Sequence, residues 1–145
     1  MTAFVELDKG LRLGIPALDE EHCAIVGLID RLAREVTEAG PDVPGTKFVP
    51  ALRELYAITQ AHFSHEEKLM ESMKFPGLAG HRREHAMLLA EQADFIRDIE
   101  TGQERLDAES LAALRIWFLG HTIGSDRVYA AAFNDGQTSS RGDRA

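Results

Sequence analysis

Two pairs of candidate metal ligands in the sequence each have a spacing of four residues. His62 and Glu66 form the first pair, and His81 and His85 form the second. Residues four apart on an α-helix are only about 40° apart around its axis, so each pair shares one helix face. Since Pro76-Gly77 lies between the pairs, two helices that meet at this turn would bring them face to face. Imidazole and carboxylate together suit iron, zinc or copper, so this stretch predicts a transition-metal site.

Four segments carry apolar residues at helical spacing, and breaker-rich loops separate them. We predict helices over about 19–39, from a start between 46 and 50 to 73, over about 78–101, and from 107 to 134–136. Asp19 and Asp107 are the predicted N-caps of the first and last helices, and Gly102 is the predicted terminator of the third. Four such helices with short connections are typical of an all-α, up-down-up-down antiparallel four-helix bundle.

Both ends of the chain lie outside the predicted helices. Residues 1–18 contain glycine, proline and scattered apolar residues, which predicts an extended N-terminal arm lying on the core. Residues 136–145 are small and polar, which predicts a flexible C-terminal tail. The sequence therefore predicts one bundle domain over residues 1–135, followed by the tail.

The composition argues against several classes of protein. A length of 145 residues with 44% hydrophobic residues suits one globular domain. The formal net charge of −8 argues against nucleic acid or an anionic membrane as the main partner, because both need a basic surface. No apolar stretch approaches the roughly 20 residues of a membrane helix, so we expect no membrane insertion. We read no signal peptide, and the single cysteine, Cys23, fits a reducing compartment, so we expect a cytoplasmic protein.

Each predicted helix carries polar residues on its apolar stripe, where a bundle core is normally aliphatic and aromatic. These residues are His22 on the first helix, His62 and Glu66 on the second, His81 and His85 on the third, and His121 and Asp126 on the fourth. A lone His22 or His121 is more often a hydrogen-bonded core histidine. The alternative for each pair of residues four apart is an ordinary pair on the helix surface. Five of the six histidines lie on the inner faces of the helices. This concentration favours a metal site, because cations compensate the cost of burying such groups.

Two neighbours of the pair on the second helix are assigned elsewhere. His65, the sixth histidine, lies on the flank of the apolar stripe, and we predict it at the surface or beside a ligand. Glu67 is predicted to face away from the centre.

The two candidates on the fourth helix are five residues apart, which is about 140° around an ideal helix. His121 and Asp126 reach one centre only if the site is large or the helix is locally unwound, for example as a π-type turn near Gly120 and Gly124. Two metals would also resolve the spacing. Seven protein ligands are too many for one tetrahedral or one octahedral ion. With two bridging carboxylates and a bridging solvent oxygen, two octahedral ions lack one ligand, so one metal keeps an open position.

The order of these residues and the sequence around them resemble the hemerythrins, in particular the single-domain bacterial kind. The matching segments are Leu18-Asp19-Glu20-Glu21-His22, His62-Phe63-x-x-Glu66-Glu67-x-x-Met70, Phe75-Pro76-Gly77 before His81, and Trp117 four residues before His121. The similarity covers roughly residues 4–133. It implies an oxo- or hydroxo-bridged non-haem di-iron centre, with His81, His85 and His121 on one iron, His22 and His62 on the other, and Glu66 and Asp126 bridging.

The resemblance also implies a function, which is reversible O2 binding at the iron held by His22 and His62, for carriage, storage, delivery or sensing. The residues that match the family's O2 pocket are Ile25, Phe63, Trp117, Phe118 and Thr122. The alternative is a di-iron enzyme, such as a peroxidase, nitric oxide reductase or ferroxidase, that uses the same ligands. Ferritin-like di-iron proteins carry more carboxylates, whereas this set is dominated by neutral imidazoles, which favours binding over oxygenation. We predict O2 as the ligand and no particular protein partner.

The chain departs from the family's pattern at Thr122 and Cys23, and it lacks the family's usual N-terminal tryptophan, with Phe4 and Leu7 nearby. The residue after the histidine of the fourth helix is usually aliphatic, and here it is Thr122. Its hydroxyl either bonds back to the carbonyl of Phe118 or admits water to the pocket and alters autoxidation. Cys23 stands where a polar residue is usual, and we interpret it as an inert, partly buried thiol.

Overall fold

The computed structural model describes residues 13–143, except for the side chains of residues 122, 123 and 136–143. Predictions that concern residues 1–12, including most of the extended arm, lie outside the described residues. The same holds for the side chain of Thr122 and for the last two residues of the chain.

Four helical rods form the described part of the chain, which contains no strand. The helices are α1, Pro16–Ala39, α2, Val49–Ser72, α3, Leu78–Glu100, α4, Ala108–His121, and α5, Arg127–Asp143. A π-helical turn, Thr122–Asp126, joins α4 to α5, so that these three elements make up the fourth rod. A 3₁₀ turn, Gly45–Phe48, leads into α2. The prediction of an all-α antiparallel bundle is confirmed.

The rods are not equally close to one another. Close backbone contacts join α1 to α2, α2 to α3 and α1 to α4, whereas α3 and α4 approach each other less closely. No helix among residues 13–143 is both long enough and apolar enough to cross a lipid bilayer.

Two clusters of buried apolar residues fill the bundle. The large core cluster takes residues from α1 to α4, among them Ile25, Leu32, Leu55, Phe63, Leu88, Leu111 and Phe118. The small core cluster consists of Leu13, Ile15, Leu18, Met70, Tyr129 and Ala130. Along α1, His22 lies between Leu18 and Ile25. The candidate ligands thus occupy the layer between the two clusters.

The start of α1 corrects one prediction. The helix begins at Pro16, where a missing N–H removes no helical hydrogen bond, and Ile15 is its extended N-cap. Asp19 lies inside the first turn, and its carboxylate accepts the backbone N–H groups of Leu13 at 2.7 Å and Gly14 at 3.2 Å. The prediction of Asp19 as N-cap was wrong, because this side chain instead holds the segment that precedes the helix.

Other helix ends agree with the sequence more closely. The Asp107 carboxylate accepts the N–H of Ser110 at 2.9 Å, and the Ser110 hydroxyl accepts the N–H of Asp107 at 3.0 Å, so Asp107 caps α4 as predicted. Gly102 has a φ of 77°, which favours glycine at the end of α3. The fourth rod, however, stays helical to Asp143, and its predicted end at 134–136 was wrong. The division into a domain and a tail stays a prediction.

Candidate metal centre

The seven predicted ligand residues meet in the layer between the two core clusters, and all are buried. They are His22 from α1, His62 and Glu66 from α2, His81 and His85 from α3, and His121 and Asp126 from the fourth rod. The π-helical turn widens that rod at the point where the spacing required it. As a result, His121 Nε2 and Asp126 Oδ1 lie 3.0 Å apart. The prediction of a local π-type turn is confirmed.

These residues form two overlapping groups. In each group, one potential ligand atom per residue lies within 4.8 Å of all the others. The three-histidine group consists of Glu66, His81, His85, His121 and Asp126, and the two-histidine group consists of His22, His62, Glu66 and Asp126. Because the same two carboxylates belong to both groups, the arrangement suits two adjacent cations that share them.

The Nε2 nitrogens of all five histidines in these groups face the shared carboxylates. The distance from Nε2 to the nearest carboxylate oxygen is 2.9 Å for His81, 3.0 Å for His121, 3.3 Å for His85, 3.4 Å for His62 and 3.5 Å for His22. Five ring nitrogens therefore surround two carboxylates inside the bundle, and Nδ1 of each ring is left for contacts elsewhere.

Three of these histidines bind a further carboxylate through Nδ1. His62 contacts Glu21 at 2.8 Å, and His85 and His121 make the corresponding contacts at 2.7 Å with the two acids Glu67 and Glu84. A proton held on Nδ1 by such a carboxylate leaves the Nε2 lone pair free for a metal and makes it more basic.

These outer carboxylates were not predicted from the sequence. Glu67 was predicted to face away from the centre, and this was wrong, because it accepts a hydrogen bond from His85 on the next helix. Spacing within one helix gives no signal for a contact between α2 and α3. His65 is half-exposed and shares the Glu21 carboxylate with His62, so it lies at the surface beside a candidate ligand, as predicted.

The contacts of the fourth rod make its histidine more basic and keep its own carboxylate ionised. Burial alone would lower the pKa of His121, but hydrogen bonds with Asp126 and Glu84 outweigh it and raise this pKa to about 9. Burial would raise the pKa of Asp126, but hydrogen bonds from His121 and His81 hold it well below its usual range. The Ser125 hydroxyl also donates to Glu84, at 2.7 Å. A charged Asp126 is the form that a cation requires.

Buried atoms without hydrogen-bond partners test whether the residues fit a metal. Among the described residues, such atoms include both ring nitrogens of His22, Nε2 of His62, Oε1 of Glu66 and Oδ2 of Asp126. These five atoms lie in the two-histidine group, whose two carboxylates are shared with the three-histidine group. Because an unsatisfied buried polar atom is costly, coordination of a cation by these lone pairs gives them the partner that the protein does not. The residues fit a metal-binding role.

Tyr129 adds a contact that the sequence analysis did not identify. Its buried hydroxyl donates a hydrogen bond of 2.5 Å to Glu66 Oε2. Burial and the neighbouring Glu66 charge raise the pKa of Tyr129 well above its ordinary value, so the hydroxyl stays neutral and remains a donor. Tyr129 lies three residues after Asp126, one turn further along the same rod, and this spacing was the available signal.

Apolar rings cover the centre on the side of the large core cluster. The Phe118 ring lies 5.8 Å from His22 and 6.4 Å from His62, measured between ring centroids. Phe63 stacks on His85 with centroids 3.9 Å apart. Ile25, Phe63 and Phe118 are buried, and Trp117 is partly buried against the same cluster. Of the five predicted pocket residues, only the Thr122 side chain lies outside the described residues.

Sequence relatives cover most of the chain. It is 32% identical over 124 residues to the bacteriohemerythrin of Ralstonia nicotianae, covering 86% of this chain and 85% of the relative. It is 28% identical over 120 residues to the bacteriohemerythrin of Stenotrophomonas maltophilia, covering 83% and 75% of the two chains. The myohemerythrin of Riftia pachyptila is 28% identical over 122 residues, with 84% and 88% covered.

Solved structures agree on the fold. The crystal structure of wild-type hemerythrin superposes with a TM-score of 0.69 at 22% identity, covering 80% of this chain and 86% of that one. The L114A mutant of hemerythrin gives a TM-score of 0.70 at 21% identity, with 81% and 86% covered.

The family model described as the hemerythrin HHE cation binding domain matches residues 13–133. With that match and a metal-competent cluster of histidines and carboxylates in its bundle, the chain belongs to the hemerythrin family, whose members bind non-haem iron.

Proposed function

We propose that this chain binds O2 reversibly at a pair of non-haem irons and performs no catalytic turnover. The three-histidine group would hold one iron and the two-histidine group the other, with Glu66 and Asp126 bridging them beside an oxo or hydroxo group. The observation that carries the proposal is the overlap of two groups of unequal size through the same two carboxylates.

The unequal groups support a single ligand-binding position. The two-histidine group supplies fewer side chains than the three-histidine group, so an octahedral ion there would keep a position for O2. Phe118 contacts both of its histidine rings. The open position would therefore face an apolar wall.

The chain's own residues would keep the binding reversible. When bound, a pair of ferrous ions supplies the electrons that reversible O2 binding requires. Ile25, Phe63 and Phe118 are buried beside the ligand groups and exclude the water and protons that promote irreversible oxidation. The outer carboxylates Glu21 and Glu84 hold two imidazoles in the tautomer that presents Nε2.

Tyr129 would fix the position of one bridging carboxylate. Its hydroxyl donates to Oε2 of Glu66, while Oε1 of the same carboxylate has no hydrogen-bond partner among the described residues. A donor on one oxygen restricts rotation of the carboxylate and directs both oxygens toward the layer of histidines. The hydroxyl stays protonated in this role.

Anaerobic reduction followed by exposure to air tests the proposal. We expect an oxy spectrum that disappears when O2 is removed and returns when it is restored, with two irons per chain by metal analysis. Sustained consumption of peroxide or nitric oxide, without a reversible spectrum, would instead support the di-iron enzyme. Carriage, storage, delivery and sensing share the same binding step.

Thr122 gives a second test of the pocket. In Thr122→Ile, we expect the oxy form to last longer, because an aliphatic side chain replaces a hydroxyl that would admit water or contact O2. An unchanged lifetime of the oxy form would contradict a role for this hydroxyl in the pocket.

A further inference from the structure

We infer that the seam between α3 and α4 is the entrance to the buried pocket, and that the hydrogen bond between Trp117 and Glu91 holds it closed. The inference rests on the proposed function, since it supplies the route by which O2 and water reach the centre.

A cleft opens at this seam on the surface of the bundle. Its volume is about 170 Å³, and its walls include Glu91, Gln92 and Phe95 from α3 and Ala113, Leu114 and Trp117 from α4. The backbones of α3 and α4 approach each other less closely than those of the other neighbouring helices in sequence. The cleft therefore lies where the backbones leave room for an opening made by side-chain movement.

Trp117 separates the cleft from the pocket. Its side chain lines the cleft and also packs against the large core cluster. That cluster contains Phe63 and Phe118, whose rings contact the candidate ligands. Movement of this indole would connect the solvent-filled cleft with the apolar wall of the centre.

A single hydrogen bond at the rim holds the indole in place. Trp117 Nε1 donates to Glu91 Oε2 at 2.7 Å, and this contact is exposed. Hydrogen bonds to a charged acceptor are stronger than neutral ones, but solvent competes with them at the surface. This hydrogen bond therefore keeps the indole over the entrance but allows it to move away transiently.

Gln92 makes the base of the cleft polar. Its side chain is only 3% exposed, and its Oε1 has no hydrogen-bond partner among the described residues. Gln92 lies seven residues after His85, which is two turns along the same face of α3. This buried acceptor can accept a hydrogen bond from a water molecule that enters the cleft past Trp117. The apolar wall is thus interrupted on the route from the cleft toward His85.

The two larger cavities are poorer candidates. One of about 460 Å³ lies among the loops that follow α1 and α3, and one of about 220 Å³ lies between Arg53 and Arg97. Neither is lined by a residue of the two ligand groups or of the predicted pocket. The smaller cleft is the one that shares Trp117 with that pocket.

Two variants open or fill the cleft, and each has a control. Glu91→Ala removes the acceptor of the indole, whereas Glu91→Gln keeps one. Ala113→Phe fills the cleft from α4, and Ala112→Phe is its matched control, since Ala112 is exposed on the same helix and does not line the cleft. Stopped-flow mixing of the reduced, iron-loaded protein with O2 measures association. Nitric oxide, a neutral diatomic that also binds ferrous iron, serves as a second probe.

The expected association rates of the two gases depend on how often the entrance is open. Loss of one charge-assisted hydrogen bond raises the open population about fivefold, so we expect Glu91→Ala to bind both gases up to about fivefold faster. Ala113→Phe should bind them several-fold more slowly and Ala112→Phe should stay near the wild type, while Glu91→Gln, which keeps a neutral acceptor, should lie between the wild type and Glu91→Ala. Trp117 is the only tryptophan, so acrylamide quenching of its fluorescence reports the opening directly and should increase in Glu91→Ala.

The outcomes separate this inference from the proposed function. Unchanged association of both gases in Glu91→Ala and Ala113→Phe would overturn the entrance even if reversible O2 binding is intact. If nitric oxide rates follow the expected order but no reversible oxy form appears, the entrance stands and the proposed function fails. Equal quenching of Trp117 in wild type and Glu91→Ala would overturn the role of the hydrogen bond.

Discussion

The two ligand groups use the same residue types but differ in how the protein supports them. In the three-histidine group, His85 and His121 each donate to an outer carboxylate, and Phe63 stacks on the His85 ring. In the two-histidine group, only His62 has such a partner, and neither nitrogen of His22 has one among the described residues. One group is positioned by the fold, whereas the other leaves more of its hydrogen-bonding capacity for what it binds.

The difference in hydrogen-bond partners assigns the two groups different roles in folding and in ligand binding. A polar side chain with protein partners contributes to the folded state, whereas a buried unsatisfied one costs free energy that a ligand must offset. The two histidines that carry unsatisfied nitrogens contact the Phe118 ring of the large core cluster. The position with the weaker support is therefore also the one proposed to bind O2.

The largest effect is expected where the groups overlap. Glu66→Ala removes a carboxylate common to both groups and leaves the buried Tyr129 hydroxyl without its acceptor. We expect loss of both irons and a decrease in the free energy of unfolding of about 3–5 kcal/mol. Metal analysis and urea denaturation measure these changes. Glu54→Ala, an exposed position on the same helix, is the control, and a full complement of iron in Glu66→Ala would contradict a shared ligand.

Replacing one histidine in each group tests the comparison directly. In the metal-free chain, His85→Leu removes a ring that bonds Glu67 and stacks on Phe63, so we expect a loss of about 1–3 kcal/mol in the free energy of unfolding. His22→Leu removes two nitrogens without hydrogen-bond partners and one longer contact of 3.5 Å with Asp126, so it should cost less than His85→Leu. Both variants should lose iron. Equal destabilisation of the two metal-free variants in urea would show that the groups are supported alike.

Substitution of the outer carboxylates is expected to have an intermediate effect, and it tests each group separately. Glu84→Gln weakens the support of His121, and Glu21→Gln weakens that of His62. Each should lower iron affinity about 10–100-fold. Transfer of iron to a chelator measures this loss, and each variant should release mainly the iron of its own group. Simultaneous release of both irons from either variant would contradict separate support.

The smallest effect is expected at Tyr129. Tyr129→Phe removes one hydrogen bond to Glu66 and keeps the ring in the small core cluster, at a cost of about 1 kcal/mol in the free energy of unfolding. Iron should be retained, while the absorption spectrum of the loaded centre shifts because a bridging carboxylate changes. Tyr56→Phe, a partly buried position beside the large core cluster, should leave the spectrum unchanged. Identical spectra for all three proteins would remove Tyr129 from the centre.

The sequence predicted those features that depend on contacts within one helix. The apolar stripes, the breakers at Pro76-Gly77 and the cap at Asp107 determined the bundle and most helix ends. The inward faces of the spacing-four pairs followed from helical geometry. Even the irregularity between His121 and Asp126 followed from their spacing, because an ideal helix separates them by about 140°.

The features that the sequence did not predict depend on contacts between elements. Glu67 and Glu84 act on histidines of other helices, and no rule of spacing connects them. Asp19 matches an N-cap, yet it binds the chain before the helix because Pro16 already starts it. The unequal support of the two groups likewise depends on which partners the packed bundle places around each ring.

The π-helical turn at Thr122–Asp126 determines the rotational phase of the fourth rod. Before the turn, Leu111, Leu114 and Phe118 face the large core cluster, and after it Tyr129 and Ala130 face the small one. Deleting one residue here would restore a regular helix and rotate everything downstream by about 100°. Asp126 and Tyr129 would then leave the interior together, so the turn, apart from Asp126 itself, should tolerate substitutions far better than changes in length.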